Sequence, residues 1–476
     1  MTSVPVGSTT GPDPPSPRPA APPTRRDRPD RTGHGGTRVT GTGGTTGTRP
    51  DRFPAELAAV AAVAAGIQLL FIHAVARGTT LSAAASYDTA QARLLLRGDW
   101  FVDPAGALSA SRHLVPTAAH PPLPTLLLGV ADVAGATGPT AHRLLLGGLF
   151  VATVVLAGVA VRDLVGDRAG ILAALCVATF PPLWVNPATL GPETTVVVVT
   201  ALILFAAVRF WNRPGTAHAA LVGFAVGLGA LTRADLVALV VLVALPLGLA
   251  VRNVTWGVRL RSLAVMAVLV VVVVGPWVAR NLTVVSGAPL LTTEYGPALA
   301  GADCPAAWRG PLEGWWSRTC PGAVPGSDTA ATHGAVVARA YVSDHLGAAP
   351  GVAAVRLGRV WNLWRPLQGT ELETATGRPA WVSRLGLWYF YVMVPVAVVG
   401  ALVLRRRRLL LFPFVAMVLL TSVTAVVAFG DARFAVEADV ALAILAGVGL
   451  DAGTRVVRRW WTGTGRHAVG RAGVPA

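Results

Sequence analysis

The chain has 476 residues, 53% hydrophobic and only 13% charged, about half the charged share of an average soluble domain. Its formal net charge of +16 comes from arginines gathered near the N-terminus, at Arg405–Arg408 and after Arg455, beside long apolar runs. That pattern excludes a soluble domain and argues against a nucleic-acid partner; it predicts an all-α membrane protein that crosses the bilayer many times.

Residues 1–52 are rich in Pro, Gly, Thr and Arg and hold few large apolar side chains, so a disordered, basic cytoplasmic tail is expected. No apolar core follows early enough for a signal peptide. Membrane-length runs then lie near 54–76, 141–161, 169–185, 194–210, 217–231, 236–251, 260–278, 385–404, 409–429 and 436–450. The stretch 121–136 is apolar too. Placing the basic segments 162–168, 209–213, 252–261 and 405–408 together inside requires that it not cross. It reads as a juxtamembrane helix at the outer interface. This gives about ten spans with both termini cytoplasmic in a cell membrane.

The organisation expected is a transmembrane module at 53–279 with its first outer loop at 77–140, an extracytoplasmic loop at 280–384, closing helices at 385–452 and a basic tail at 453–476. The long outer loop looks like a lid packed on the membrane face, with helices near 333–345 and 352–363. It holds Cys304 and Cys320, which an oxidising face would allow to form a disulfide. Cys176 lies in an apolar run and reads as a core residue.

Ionisable residues against a bilayer are costly unless they serve something. On this topology they converge on the outer face. Asp88 is the only carboxylate between Arg77 and Gly98, placed to accept a proton from an acceptor hydroxyl. Its plainer reading is a capping box, Asp88-Thr89-Ala90-Gln91, opening a helix over 89–97. His120 precedes Pro121-Pro122, and its readings are helix initiation and contact with a phosphate. Arg233 suits an anionic phosphate through its planar fork, or pairs with Asp235 at a turn. Arg280 is a second phosphate candidate or an interfacial anchor. Glu193 is a cavity carboxylate or a charge complementing a helix N-terminus, and Asp235 is the other cavity carboxylate. Asp431 and Arg433 read as a pair across a tight turn. No P-loop, dinucleotide fingerprint, HExxH or zinc spacing occurs, so no metal ligand is assigned, no cofactor is implied with certainty, and a divalent metal stays open.

In order and spacing the chain resembles the polytopic glycosyltransferases of the GT-C fold, of the family 39 type related to protein O-mannosyltransferases and aminoarabinose lipid A transferases. The likeness runs through Gln91-Ala92-Arg93-Leu94-Leu95, His120-Pro121-Pro122-Leu123, His142-Arg143, Trp184-Val185-Asn186, Thr232-Arg233-Ala234-Asp235, Pro276-Trp277 with Arg280-Asn281, Gly314-Trp315-Trp316, and Gly430-Asp431-Ala432-Arg433. It implies a helical bundle around a membrane-embedded cavity, a polyprenyl-phosphate sugar as donor, an extracytoplasmic acceptor, and a first-loop aspartate as base. On that resemblance Asp88 is catalytic, while Arg233, His120 and Arg280 hold the donor phosphate. Two positions depart. The family's aspartate is expected one turn earlier, at Ala84, and the last outer turn reads Phe434-Ala435-Val436-Glu437 in place of a second arginine and prolines. The competing readings are a transporter or flippase of lipid-linked sugars and an inactive lipid-binding relative.

Overall fold

A computed structural model describes residues 51–75, 81–323 and 330–469. The tail expected at 1–52 lies almost wholly outside them, as do residues 470–476. Among the described residues six helices are long and apolar enough to cross a membrane: Phe53–Ala74, Pro139–Leu164, Glu193–Asn212, Trp256–Val284, Ala380–Arg406 and Ala432–Arg458. Shorter apolar helices cover Pro122–Val133, Thr216–Thr232, Ala234–Ala250 and Phe412–Val427. The protein is a multi-pass membrane protein, all-helical among the described residues apart from an isolated bridge between Val102 and Pro116.

The run expected as one helix over 169–185 is broken. Asp167–Thr179 and Pro181–Thr189 meet at 62°. Pro181 and Pro182 cannot continue the ladder, and Phe180 before them takes extended geometry (φ −75°, ψ 112°). The bend turns Asn186 inward, where its amide donates to Pro182 O at 2.8 Å and its oxygen accepts from Arg378 at 2.6 Å. The stretch expected over 236–251 starts as a 3₁₀ turn at Ala234–Ala238 and passes through a π segment at Val240–Ala244.

Other boundaries move as well. The Trp256–Val284 helix runs past the limit expected at 279, so Arg280 sits on a helix rather than in a loop. The last helix does not stop near Leu450 but covers Val436–Val469, taking in much of the tail expected at 453–476. The preceding long helix begins at Ala380, ahead of the expected 385.

Close crossings are made by small residues, as packing between apolar helices in lipid favours. A Cβ at Gly400 would lie 1.9 Å from Leu445 O, and one at Gly449 2.1 Å from Val396 O. These two helices therefore pack backbone to backbone.

Beyond Val284 the outer segment is built from short helices, among them Tyr295–Ala302, Ala330–Asp344, Ala349–Val360 and Pro366–Leu372. Cys304 and Cys320 are paired, with Cα atoms 5.9 Å apart. Closing a loop of this size contributes about 3 kcal/mol by the chain-entropy argument. Arg356 fastens the segment to the bundle. Its guanidinium meets Asp303 at 2.6 Å, Ala302 O at 2.7 Å and Val426 O at 2.9 Å. Gly430 closes the contact by donating to Gly314 O at 2.9 Å.

Candidate active site

Asp88 lies in the middle of a helix, Ala83–Leu96, whose N-cap is Ser82, the hydroxyl accepting from Ala85 N at 3.2 Å. The capping-box expectation for Asp88 is thereby overturned. Ser82 starts the helix earlier, so Asp88 has no orphan N–H to satisfy. Ala84 and Asp88, four residues apart, share one face of this helix.

Asp88 is 1% exposed and is held from a second element. Its Oδ1 is 2.8 Å from His120 Nδ1 and accepts from Thr125 Oγ1 at 3.2 Å. Thr125 belongs to the Pro122–Val133 helix, which Pro122 opens at its first turn with His120 just before it. No hydrogen bond reaches Asp88 Oδ2 among the described residues. His120 Nε2 points to Glu294, 3.8 Å away, and the Tyr87 ring lies against the imidazole with centroids 4.4 Å apart. Burial pushes the His120 pKa down, but the charges of Asp88 and then Glu294 outweigh it and raise it to about 9. At neutral pH this is a protonated histidine between two carboxylates.

The first loop that carries His120 is fastened at several points. Arg280 donates to Phe101 O at 2.6 Å and to Thr117 O at 2.8 Å, with its guanidinium 5.1 Å from the Trp277 ring centre. Thr293 N donates to Ala118 O at 2.9 Å, and the Thr292 hydroxyl donates to Ala119 O. The buried Gln91 amide, turned so that both ends are satisfied, bonds the backbone of Phe101 and Val102. Asp103 caps the short Pro104–Ala107 helix through Gly106 N at 2.8 Å.

A second charged group faces this one. Glu193, 8% exposed, opens the Glu193–Asn212 helix and lies 4.0 Å from Arg433, whose Nε is 2.8 Å from Asp431. Glu193 and Glu294 both lie within electrostatic range of His120 and of Arg433, so the two groups border one polar region. Arg233 forms a two-pronged pair with Asp235 at 2.7 and 2.9 Å and a third bond to Glu437 at 2.6 Å. Thr424 and Thr421 donate to these two carboxylates, each at 3.0 Å. Arg233 and Arg433 share the Phe434 ring, 5.6 and 4.8 Å from its centre.

The structure thus brings Asp88 and His120 together, with Glu193 in electrostatic range of the histidine, and sets Arg233 in a partly buried triad with Asp235 and Glu437 that shares the Phe434 ring with Arg433. Arg280 it places as a clamp on the first loop. Residues not singled out from sequence are Tyr87, Thr125, Glu294, Glu437 and Asp439. Glu437 and Asp439 stand in an apolar run, which is itself the signal of a functional or paired charge. Nothing local marks Glu294 or Thr125. Next to the Asp431 turn, a narrow cavity is lined by Glu373, Arg378, Ser383, Asp439 and the Pro181-Pro182 bend. Among the described residues, no group of three or more His, Cys, Asp or Glu is placed to hold a metal ion.

The profile of the dolichyl-phosphate-mannose-protein mannosyltransferase family matches residues 119–278, about a third of the chain. The matched stretch contains His120, Glu193, Arg233 and Asp235, begins after Asp88 and ends short of Arg280. Among solved structures, the chain is similar to the archaeal oligosaccharyltransferase AglB of Archaeoglobus fulgidus, in complex with an inhibitory peptide and a dolichol-phosphate. The identity is 13%, the TM-score 0.47, and the alignment covers 89% of this chain and 52% of that one. It is also similar to ArnT of Cupriavidus metallidurans bound to undecaprenyl phosphate, at 18% identity and TM-score 0.40, covering 84% of this chain and 77% of that one. The chain spans about half the length of the oligosaccharyltransferase. No curated protein sequence matches it.

Proposed function

We propose that the protein is an integral membrane glycosyltransferase that moves one sugar from a polyprenyl-phosphate donor to a hydroxyl of an extracytoplasmic acceptor, with inversion. The observation that carries the reading is the Asp88–His120–Glu294 cluster: a fixed carboxylate with one free oxygen beside an imidazolium. The mannosyltransferase profile over the stretch that holds His120 supports it.

In this reading the acceptor oxygen attacks the anomeric carbon while the bond from that carbon to the phosphate oxygen breaks. Asp88 Oδ2 takes the acceptor proton. Protonated His120 faces the departing phosphate and stabilises the charge that develops there. Arg233, whose Nη1 has no hydrogen-bond partner among the described residues, can offer that donor to the phosphate while its other nitrogens stay on Asp235 and Glu437. Arg280 acts on the site by holding the backbone on either side of the loop.

A pH dependence follows. The His120 pKa stands above its ordinary 6.5, so the imidazolium's contribution to stability is complete below that value and is lost as pH rises through about 9. Donor affinity and transfer are expected to fall over the same alkaline window. His120→Gln should weaken donor binding at pH 7 and remove that alkaline limb. An unchanged limb in His120→Gln assigns it to another group and removes the histidine from the phosphate.

The basic segments are proposed to face the cytoplasm, which sets Asp88 on the opposite side. A cysteine replacing Asp167 should resist an impermeant thiol reagent in intact cells and react once they are opened. Labelling from outside would invert the topology.

A further inference from the structure

His142 and Arg143 take no part in the chemistry above, yet both are buried at the head of the Pro139–Leu164 helix. His142 Nε2 and Asp132 Oδ1 are 2.7 Å apart, and both side chains are sealed from solvent. Asp132 stands on the Pro122–Val133 helix, seven residues after Thr125 and so on the same face, ~10 Å further along. Between these two points that helix packs on the Asp88 helix: a Cβ at Gly129 would lie 2.9 Å from Leu95 Cδ1. One end of it therefore holds Asp88, through Thr125 and, just ahead of its first turn, His120, while the other end holds His142.

The same helix head reaches the other flank of the site. Arg143 Nε donates to Ala188 O at 2.8 Å, on the Asn186–Thr189 turn that leads into Glu193. One turn on, Leu146 joins a buried cluster with Leu128, Leu190, and Ala85 and Ala92 of the Asp88 helix. The link 134–138 does not fix this arrangement by itself. It turns at Gly135 and Gly138, with φ of +81° and +94°, where glycine leaves the backbone most free. The Asp132–His142 bond spans that link. An apolar pair of similar shape would hold the two helices about as stably, and here Asp132 Oδ2 and His142 Nδ1 have no hydrogen-bond partner among the described residues. What the polar pair adds is register, because a hydrogen bond tolerates little change in distance or angle.

We infer that Asp132 and His142 are a positioning pair for the transfer proposed above, holding the Thr125 and His120 end against Asp88. Their burial keeps both from any substrate, so they act through Thr125 and His120. A misplacement of about 1 Å at a reacting centre costs about 10²-fold in rate even when it comes from a distant change. The pair's effect on rate rests on the proposed transfer; its effect on His120 does not.

The test uses full-length protein in detergent. Asp132→Leu with His142→Leu removes the bond without orphaning a buried partner, so the melting midpoint should stay near wild type. His142→Gln keeps a donor near the place of Nε2, whereas His142→Asn, one methylene shorter, falls short of Asp132. Leu57→Ala is the control for lost stability. Leu57 packs on Gly158, ~24 Å along the same helix from His142, so this change should lower the midpoint and leave turnover per folded protein unchanged. The double variant and His142→Asn should transfer sugar about 10²-fold more slowly with donor KM within about threefold, and His142→Gln should restore most of the rate. The second readout needs no turnover. With isotopically labelled histidine, the His120 signal is assigned by its absence in His120→Gln. Its titration midpoint should be about 9 in wild type and about one unit lower in the double variant, as Asp88 moves away. The groups facing His120 are Tyr87, Asp88, Glu193 and Glu294, and of these Asp88 is the one bonded to the helix that Asp132 anchors. A double variant that transfers within about threefold of wild type and leaves the His120 midpoint in place overturns the inference, as does a loss of rate that Leu57→Ala reproduces. No transfer by the wild type, with the His120 midpoint still lowered in the double variant, sinks the proposed function and upholds the positioning of His120.

Discussion

Replacing Asp88 by Asn should lower sugar transfer about 10²- to 10⁴-fold, the usual cost of losing a general base, while leaving the fold and donor binding near normal. Asn keeps the shape of the side chain and an oxygen at the position that accepts from Thr125. What it loses is the negative charge that takes the acceptor proton. Because Ser82 and not Asp88 caps the helix, no capping loss accompanies the change. His120 loses its nearest counter-charge in the variant, so its proton should leave at a lower pH than in the wild type. That second readout separates a charged Asp88 from a merely packed one. Transfer by Asp88→Asn within about threefold of wild type would move the base to Glu193, the other carboxylate beside Arg433.

The second large effect concerns stability. Arg233→Ala is expected to cost about 3–5 kcal/mol, because it leaves carboxylates without their cation in a buried setting. Glu437 is 0% exposed, and its only ionic partner among the described residues is Arg233. Glu437→Gln should cost less, since Arg233 keeps its two-pronged pair with Asp235. Arg233→Lys keeps a charge but not the planar fork and should fall between them, with donor binding weakened. The unfolding free energy of each variant in detergent gives the order. A loss below about 1 kcal/mol for Arg233→Ala would mean the triad is solvated and contributes little.

Much of the architecture is written locally in the chain. Apolar runs of membrane length appear as helices at nearly the expected places, because their period and length do not depend on distant contacts. The Arg233–Asp235 pair spans one turn and is legible for the same reason. The bend at Phe180 was available from Pro181-Pro182 but hidden by the apolar residues on both sides. The helix start at Ser82 was masked similarly, since the alanines that follow give no amphipathic signal. What the sequence does not reveal is pairing at long range. Asp88 and His120 were each visible as candidates, but their bond joins residues 32 apart, and Glu294 reaches the same histidine from beyond the Trp256–Val284 helix. Arg280 looked like a phosphate ligand, and only the fold shows its guanidinium on the carbonyls of Phe101 and Thr117. The Glu437 and Asp439 carboxylates were legible in principle as charges inside an apolar run, the pattern that most often marks a buried pair or a site.

Transfer from a lipid-linked donor can be followed in a reconstituted system. Purified protein reconstituted in liposomes is given radiolabelled polyprenyl-phosphate sugars together with a cell-envelope extract as acceptor. Label leaving the lipid and free polyprenyl phosphate are followed together. With transfer, label moved and polyprenyl phosphate released should be equal in amount, and both should be lost in Asp88→Asn. Intact donor that only changes leaflet, with no polyprenyl phosphate formed from any sugar offered, would contradict it and identify a flippase instead.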